Sequence, residues 1–175
     1  MKSFSFAFLT TVVSLVTAAP IEEKRGVVYR PTYLTQHQID WPHQNTYNTA
    51  GSTIFKNFSP VLSTVSTFKN LALSGQTCKL GFTLGGSDTF TGSGKVHVFA
   101  TNIILPQNNN QGSSGRDAHV GSWVVQVGEA NVVVGDPTTF QSFPCPSGDV
   151  AWEVVATDGV TVNWDKSRGL YLTTI

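Results

Sequence analysis

No window of about a dozen residues in this chain carries apolar side chains at helical spacing, so neither a helical bundle nor a layered α/β fold has the pattern it needs. Charge is scarce as well: 13% of residues are Asp, Glu, Lys or Arg, and the two signs balance at 11 each. Without a basic surplus there is no patch to neutralise phosphates, which argues against nucleic acid and anionic membrane surfaces as partners. Glutamate beyond residue 25 is reduced to Glu129 and Glu153. A glycoside hydrolase needs two carboxylates flanking the sugar. Here Glu129 falls in a Gly-Glu-Ala turn, and Glu153 points away from the strand face that carries Trp152. A G-x-S-x-G nucleophile elbow is missing. Thr91-Gly92-Ser93-Gly94-Lys95 lacks both the upstream glycine and the hydroxyl residue of a phosphate loop. No catalytic residue, cofactor or metal ligand is assigned, and a non-enzyme is expected.

Long apolar runs are absent except at the start. Lys2 precedes the run Phe4 to Val16, and Val16-Thr17-Ala18 follows with short side chains. The run is too short and too broken by Ser and Thr to span a bilayer. Residues 1–18 therefore read as a signal peptide, and residues 19–25 as a short propeptide ending in Lys24-Arg25. That pair resembles the dibasic sites cut by furin- or kexin-type proteases, so the mature chain is expected to begin at Gly26. Losing Lys2, Lys24, Arg25, Glu22 and Glu23 leaves eight basic against nine acidic side chains, a net charge of about −1. Lys166 and Arg168 interrupt the end of the chain, so a glycolipid anchor is not expected. The product reads as a secreted monomer, extracellular or cell-wall-associated, without a membrane span. Asn57-Phe58-Ser59 is an N-glycosylation sequon whose occupancy Pro60 lowers.

Secretion would expose the only cysteines, Cys78 and Cys145, to an oxidising lumen. A bridge between them is expected, worth about 4 kcal/mol on the loop-entropy model. The alternative is a pair of free thiols, one of them reactive. Cys78 speaks against it, because it sits in an apolar strand pattern whose only basic neighbour is Lys79.

Period-two alternation dominates what remains. Cys78, Leu80, Phe82 and Leu84 share one face; so do Val96 and Val98; Trp123, Val125 and Val127; Val150, Trp152 and Val154; Val160, Val162 and Trp164; and Leu170 and Leu172. Weaker strands are expected over Thr53–Phe58, Ser63–Leu73 and Asn131–Val134. Turn residues separate the runs, and Asp158-Gly159 is the strongest hairpin signal. The fold class is all-β: an antiparallel β-sandwich of eight or nine strands with one disulfide. Residues 26–49 lack a clear period and read as an irregular N-terminal segment, and residues 106–115 as a polar loop.

Three places invite a site. His37, Asp40 and His43 stand at three-residue steps, but Pro42 breaks a helix there and no fourth ligand is near. The aspartates Asp88, Asp117, Asp136, Asp149, Asp158 and Asp165 are turn formers first, with calcium as the alternative use. Trp123, Trp152 and Trp164 alternate with valines and belong to the core. A sugar-stacking surface would then fall to Trp41, Tyr33 and Tyr47.

Gly75-Gln76-Thr77-Cys78-Lys79-Leu80-Gly81-Phe82 resembles the But-two C-terminal domain of fungi, a family named after a yeast protein that binds an activating enzyme of the ubiquitin-like pathway. Ser52–Phe58, Thr89–Gly94 with the Val96 strand, Phe143-Pro144-Cys145-Pro146-Ser147-Gly148 and Val160–Leu172 add to the likeness. It covers residues 50–175. It implies a secreted or wall-associated fungal β-sandwich with a Cys78–Cys145 bridge, and it carries no catalytic residue onto this sequence. The family name suggests a cytosolic partner, whereas the leader and dibasic site point outside the cell, and the address governs the reading here. Three readings follow: a secreted non-enzymatic protein of the fungal surface, including an effector-like role; a carbohydrate-binding module recognising wall polysaccharide; and a glycoside hydrolase. An extracellular protein is the other partner expected.

Overall fold

A computed structural model describes residues 26–40, 44–47, 49–56, 60–102, 115–134 and 142–175. The expected signal peptide, Lys24, Arg25, Trp41, His43, Asn57, Asp136 and residues 106–114 lie outside the described residues. The described chain forms β1 (Val28–Tyr29), β2 (Tyr33–Gln38), β3 (Gln44–Tyr47), β4 (Gly51–Phe55), β5 (Leu62–Ala72), β6 (Thr77–Leu84), β7 (Thr89–Thr91) and β8 (Lys95–Thr101). It continues through β9 (Arg116–Val124), β10 (Gly128–Glu129), β11 (Asn131–Val132), β12 (Phe143–Pro144), β13 (Ser147–Ala156), β14 (Thr161–Asp165) and β15 (Gly169–Thr174). Nine of these strands have five or more residues, and the rest are short edge pieces. No helix occurs among the described residues.

Every ladder is antiparallel, and the strands make two sheets. The smaller runs β1-β15-β6-β10, with β12 also on β6. The larger runs β11-β9-β8-β13-β5-β4-β14-β7, with β2 on β5 and β3 on β2. Alternation explains how they pack. β6 buries Cys78, Leu80, Phe82 and Leu84, and β15 buries Leu170 and Leu172 from the same layer. The larger sheet answers with Ile54, Phe68, Val96, Val98, Trp123, Trp152, Val154, Val162 and Trp164. Phe82 meets Trp123 at 5.8 Å and Trp164 at 5.3 Å between ring centroids, the latter edge-on. Phe68 packs edge-on against Trp152 at 5.4 Å. The three tryptophans are core residues, at 1%, 8% and 3% exposure for Trp123, Trp152 and Trp164.

Three expectations change. Residues 26–49 are not irregular: they hold β1, β2 and β3, and β2 pairs with β5 over six residues. The strand was hidden because the face of β2 that alternates with Leu34 is polar (Thr35, His37) yet buried. Asp158-Gly159 makes a turn, with Val160 N–H donating to the Thr157 carbonyl at 3.1 Å, but no hairpin. β13 is flanked by β5 and β8, and β14 by β4 and β7, so the turn carries the chain across β5 and β4. Lys56 holds it there, through its carbonyl to Gly159 N–H (3.3 Å) and its ammonium to Asp158 (3.0 Å). Val127 is 61% exposed, because β9 ends at Val124 and Gly128 turns the chain towards β6.

Cys78 and Cys145 are bridged, with Cα atoms 4.9 Å apart. β12 pairs with the start of β6, Phe143 opposite Cys78, and Cys145 N–H donates to the Gln76 carbonyl at 2.9 Å. The bond thus clips neighbouring strands of one sheet, across a sequence separation of 67 residues that contains β7 to β11. Cys145→Ser is expected to cost about 4 kcal/mol and lower the melting temperature by about 10 °C, read by calorimetry. A melt within two degrees of the parent (a shift of about half a kcal/mol) would contradict the bridge as a major stabiliser.

Candidate functional site

Strand register places side chains from six neighbouring strands in rows on the face of the larger sheet turned away from the core. One row runs Tyr47, Thr35, Val65, Glu153, Phe99, His119 from β3 to β9. The next runs Asn45, His37, Ser63, Val155, His97, Ser122, and a third Tyr33, Thr67, Ala151, Thr101, Arg116. A sheet face turned from the core ordinarily meets water. Here its middle is closed: Thr35, His37, Ser63, Val65, Thr67, Glu153 and Ser122 are all at or below 2% exposure.

At its centre lies Glu153, completely buried. Arg116 binds it in bidentate fashion, Nε to Oε2 at 2.7 Å and Nη2 to Oε1 at 2.9 Å, and Ser63 Oγ–H donates to Oε1. A charge taken out of water persists only with such compensation. Three donors occupy the carboxylate, so it serves as a fixed counter-ion rather than a group open to substrate. The Arg116 guanidinium also lies 5.4 Å from the Phe99 ring centroid. Phe99 in turn touches His119 (5.1 Å) and His97 (6.3 Å), and the two imidazoles stand 5.2 Å apart. Ser122 Oγ sits between them, 2.6 Å from His97 Nδ1 and 3.4 Å from His119 Nε2. This end of the face, half-buried Phe99, His97 and His119 beside the exposed Arg116, combines aromatic surface with hydrogen-bonding capacity.

Tyr33 and Tyr47, expected on a ligand surface, are half-buried at the other end of the same rows. Tyr47 packs against Val65 and Ala151. Trp41 lies outside the described residues. Glu129 and Glu153 do not face one another. Glu129 lies on the outer face of the smaller sheet, where Tyr171 O–H donates to it at 2.7 Å.

Several other candidates are tied up locally. His37 Nδ1 is 2.6 Å from Asn45 Oδ1, while Asp40 accepts Val61 N–H at 2.9 Å. Asp88 accepts from Gly85 N–H (2.7 Å), Asp165 N–H (3.1 Å) and Arg168 (3.3 Å). Asp149 takes the Lys69 ammonium and Asn70 N–H, which hold its carboxyl below the usual range. Ser167 does the same for Asp165. Among the described residues no three His, Cys, Asp or Glu side chains converge to hold a metal ion.

Sequence reasoning missed Arg116, Phe99 and His119. Arg116 follows the polar tract directly, and the irregular register between β8 and β9 obscured the alternation that would have aligned it with Glu153. On the opposite side of the molecule, Arg30 lies 4.9 Å from the Tyr171 ring centroid and donates to Gly169 O (3.1 Å) and Thr83 Oγ1 (3.2 Å). The ring rests on Gly81, where a Cβ would lie 2.2 Å from it, so a side chain there would displace the ring. Burial, then the bond to Glu129, pushes the Tyr171 phenol well above its ordinary range.

No family model, curated protein or solved structure matches the chain.

Two outcomes test these clusters. Arg116→Ala leaves Glu153 buried without its counter-ion and is expected to cost about 3 kcal/mol in urea unfolding. Arg116→Met combined with Glu153→Leu is expected to recover most of that loss, and a harmless single variant would refute the role given to the pair. For Tyr171 the raised phenol favours the folded state fully below about pH 10, and that contribution is lost as pH rises further. Tyr171→Phe is expected to remove this part of the alkaline destabilisation in melting curves between pH 9 and pH 12, a range spanning the ordinary phenol value of about 10.

Proposed function

We propose that the chain is a secreted, non-catalytic β-sandwich of the fungal extracellular space or cell wall, acting by binding and including an effector-like role. The observation that carries this reading is the internal engagement of three of its carboxylates. Glu153 is held by Arg116 and Ser63, Asp149 by Lys69, and Asp88 by Arg168 and two backbone amides. General acid–base chemistry needs a positioned group that is open to substrate, and these are spent on the fold. The leader-like Phe4–Val16 run and Lys24-Arg25 support export, and a disulfide persists in an oxidising compartment. The resemblance to the But-two C-terminal domain supports a fungal source and adds no catalytic residue.

Carbohydrate binding is the second reading, favoured by the outer face of the larger sheet. Tyr33 and Tyr47 lie half-buried at one end of its rows, with Phe99, His97 and His119 at the other. Trp123, Trp152 and Trp164 are spent on the core, so a stacking platform would be built from these residues and Trp41.

One experiment addresses both readings. Protein secreted from the full-length chain is mixed with insoluble chitin, β-glucan, cellulose and hyphal walls, and its depletion is measured. Retention on one polysaccharide, released by its soluble oligomers and weakened at least about tenfold (1.4 kcal/mol) by Tyr47→Ala, would establish the carbohydrate module. Absence of retention directs the search to extracellular proteins. Failure of the chain to reach the medium at all would overturn the secretory reading.

A further inference from the structure

His97 on β8 and His119 on β9 come from adjacent strands and address one atom. Ser122 Oγ lies 2.6 Å from His97 Nδ1 and 3.4 Å from His119 Nε2, and the two ring centroids are 5.2 Å apart. A regular strand could not arrange this, because His119 and Ser122 are three residues apart and would face opposite sides of the sheet. The register of β8 on β9 is irregular between the pair Val98 and Gly121 and the pair Phe99 and His119, which leaves Val120 as an extra residue. That bulge turns His119 onto the face carrying His97 and Ser122. Bulges re-aim single side chains in this way and are over-represented beside functional sites. Ser122 is fully buried and forms a floor, whereas both imidazoles are half-buried and keep part of their surface open to solvent.

We propose that His97 and His119 form a binding site for one divalent transition-metal ion, copper(II) in preference to nickel(II) or zinc(II). Imidazole nitrogen suits all three, and at a given nitrogen site the order of affinity peaks at copper. Metal–nitrogen bonds are about 2.0–2.1 Å long, so two ligands of one ion must bring their nitrogens within about 4 Å of each other and converge on a common point. His97 Nδ1 and His119 Nε2 already converge, at Ser122 Oγ. An ion seated above Ser122 takes the place of the hydroxyl as their shared partner. With two protein ligands the site is open, and its remaining positions go to water or to an oxygen donor of a ligand. Local charge does not oppose the ion, because Arg116, which lies against Phe99 beside the pair, is matched by the bidentate bond to Glu153. The ladder of β8 on β9 holds both backbones, and Phe99 touches both rings, at 6.3 Å and 5.1 Å between centroids. Little order therefore has to be gained on binding.

The test titrates copper(II), and separately nickel(II) and zinc(II), into the untagged protein and follows binding by calorimetry. A single copper(II) per chain is expected, and His97→Gln and His119→Gln are each expected to weaken its binding at least about tenfold. Should a variant fail to fold, nuclear magnetic resonance of the unmodified protein decides, with copper(II) expected to broaden the amide signals around His97, His119 and Ser122 most strongly. Absence of saturable copper(II) binding would overturn the site. Undiminished binding in either variant, or broadening centred elsewhere, would overturn it too, because the ion would then rest on a single imidazole or on another part of the chain. Tighter binding of nickel(II) or zinc(II) would overturn the stated preference.

Discussion

Phe82 is the contact through which the two sheets become one core. It projects from β6, the central strand of the smaller sheet, and meets Trp123 from β9 and Trp164 from β14 of the larger. These two strands lie far apart in the order of the larger sheet, so one ring ties together regions that no ladder joins directly. A completely buried phenylalanine in such a place stabilises by several kcal/mol through burial and close packing, and removing it leaves a cavity that rigid strands cannot fill. The disulfide acts on the same strand from its other end. It clips β12 to β6 and confines the excursion of β7 to β11, whose strands supply Trp123 and much of its surroundings.

With one face of the larger sheet committed to this core, its other face is where specific polar structure accumulates. Glu153 lies one residue from Trp152 and therefore on the opposite side of the same strand. Its burial demanded a counter-ion, and Arg116 supplies it from across β8. That demand organises the neighbourhood. The guanidinium lies against Phe99, Phe99 against His119, and Ser122 between two imidazoles. An ion pair of this kind adds little net stability over an apolar pair of the same size, but losing one partner is expensive, so it fixes which residues can stand beside it.

The smaller sheet is handled differently. Its outer face carries Tyr171, resting on Gly81 and covered by Arg30. Through Arg30 the ring also anchors β1, so this edge of the sheet depends on a stacked cation, a few backbone bonds and the packing of Tyr29 on the core. A buried interior and a partly exposed edge thus coexist in one sheet. The difference follows from burial: β6 and β15 turn leucines inward, whereas the side chains of Val27 and Val28 remain in water.

What the residues determined by themselves was the class of fold and its interior. Period-two alternation through Cys78–Leu84, Val160–Trp164 and Leu170–Leu172, the absence of any helical stripe, and two cysteines were enough for a disulfide-bonded antiparallel sandwich with three tryptophans inside. Alternation is a local property, set by the geometry of one strand, and it survives in the sequence. Strand neighbours are not local. Asp158-Gly159 carries every mark of a hairpin turn, but β13 and β14 each found both edges occupied by strands distant in sequence, and that competition is settled only in the assembled sheet. The same holds for β2, whose polar face reads as solvent-facing although Thr35 and His37 are buried once β2 is seated between β5 and β3, and for the candidate site. Arg116 and Glu153 are 37 residues apart and meet because β8 lies between their strands. Tertiary structure decided which polar side chains share a face, because that depends on register across six strands, a quantity that no single strand encodes.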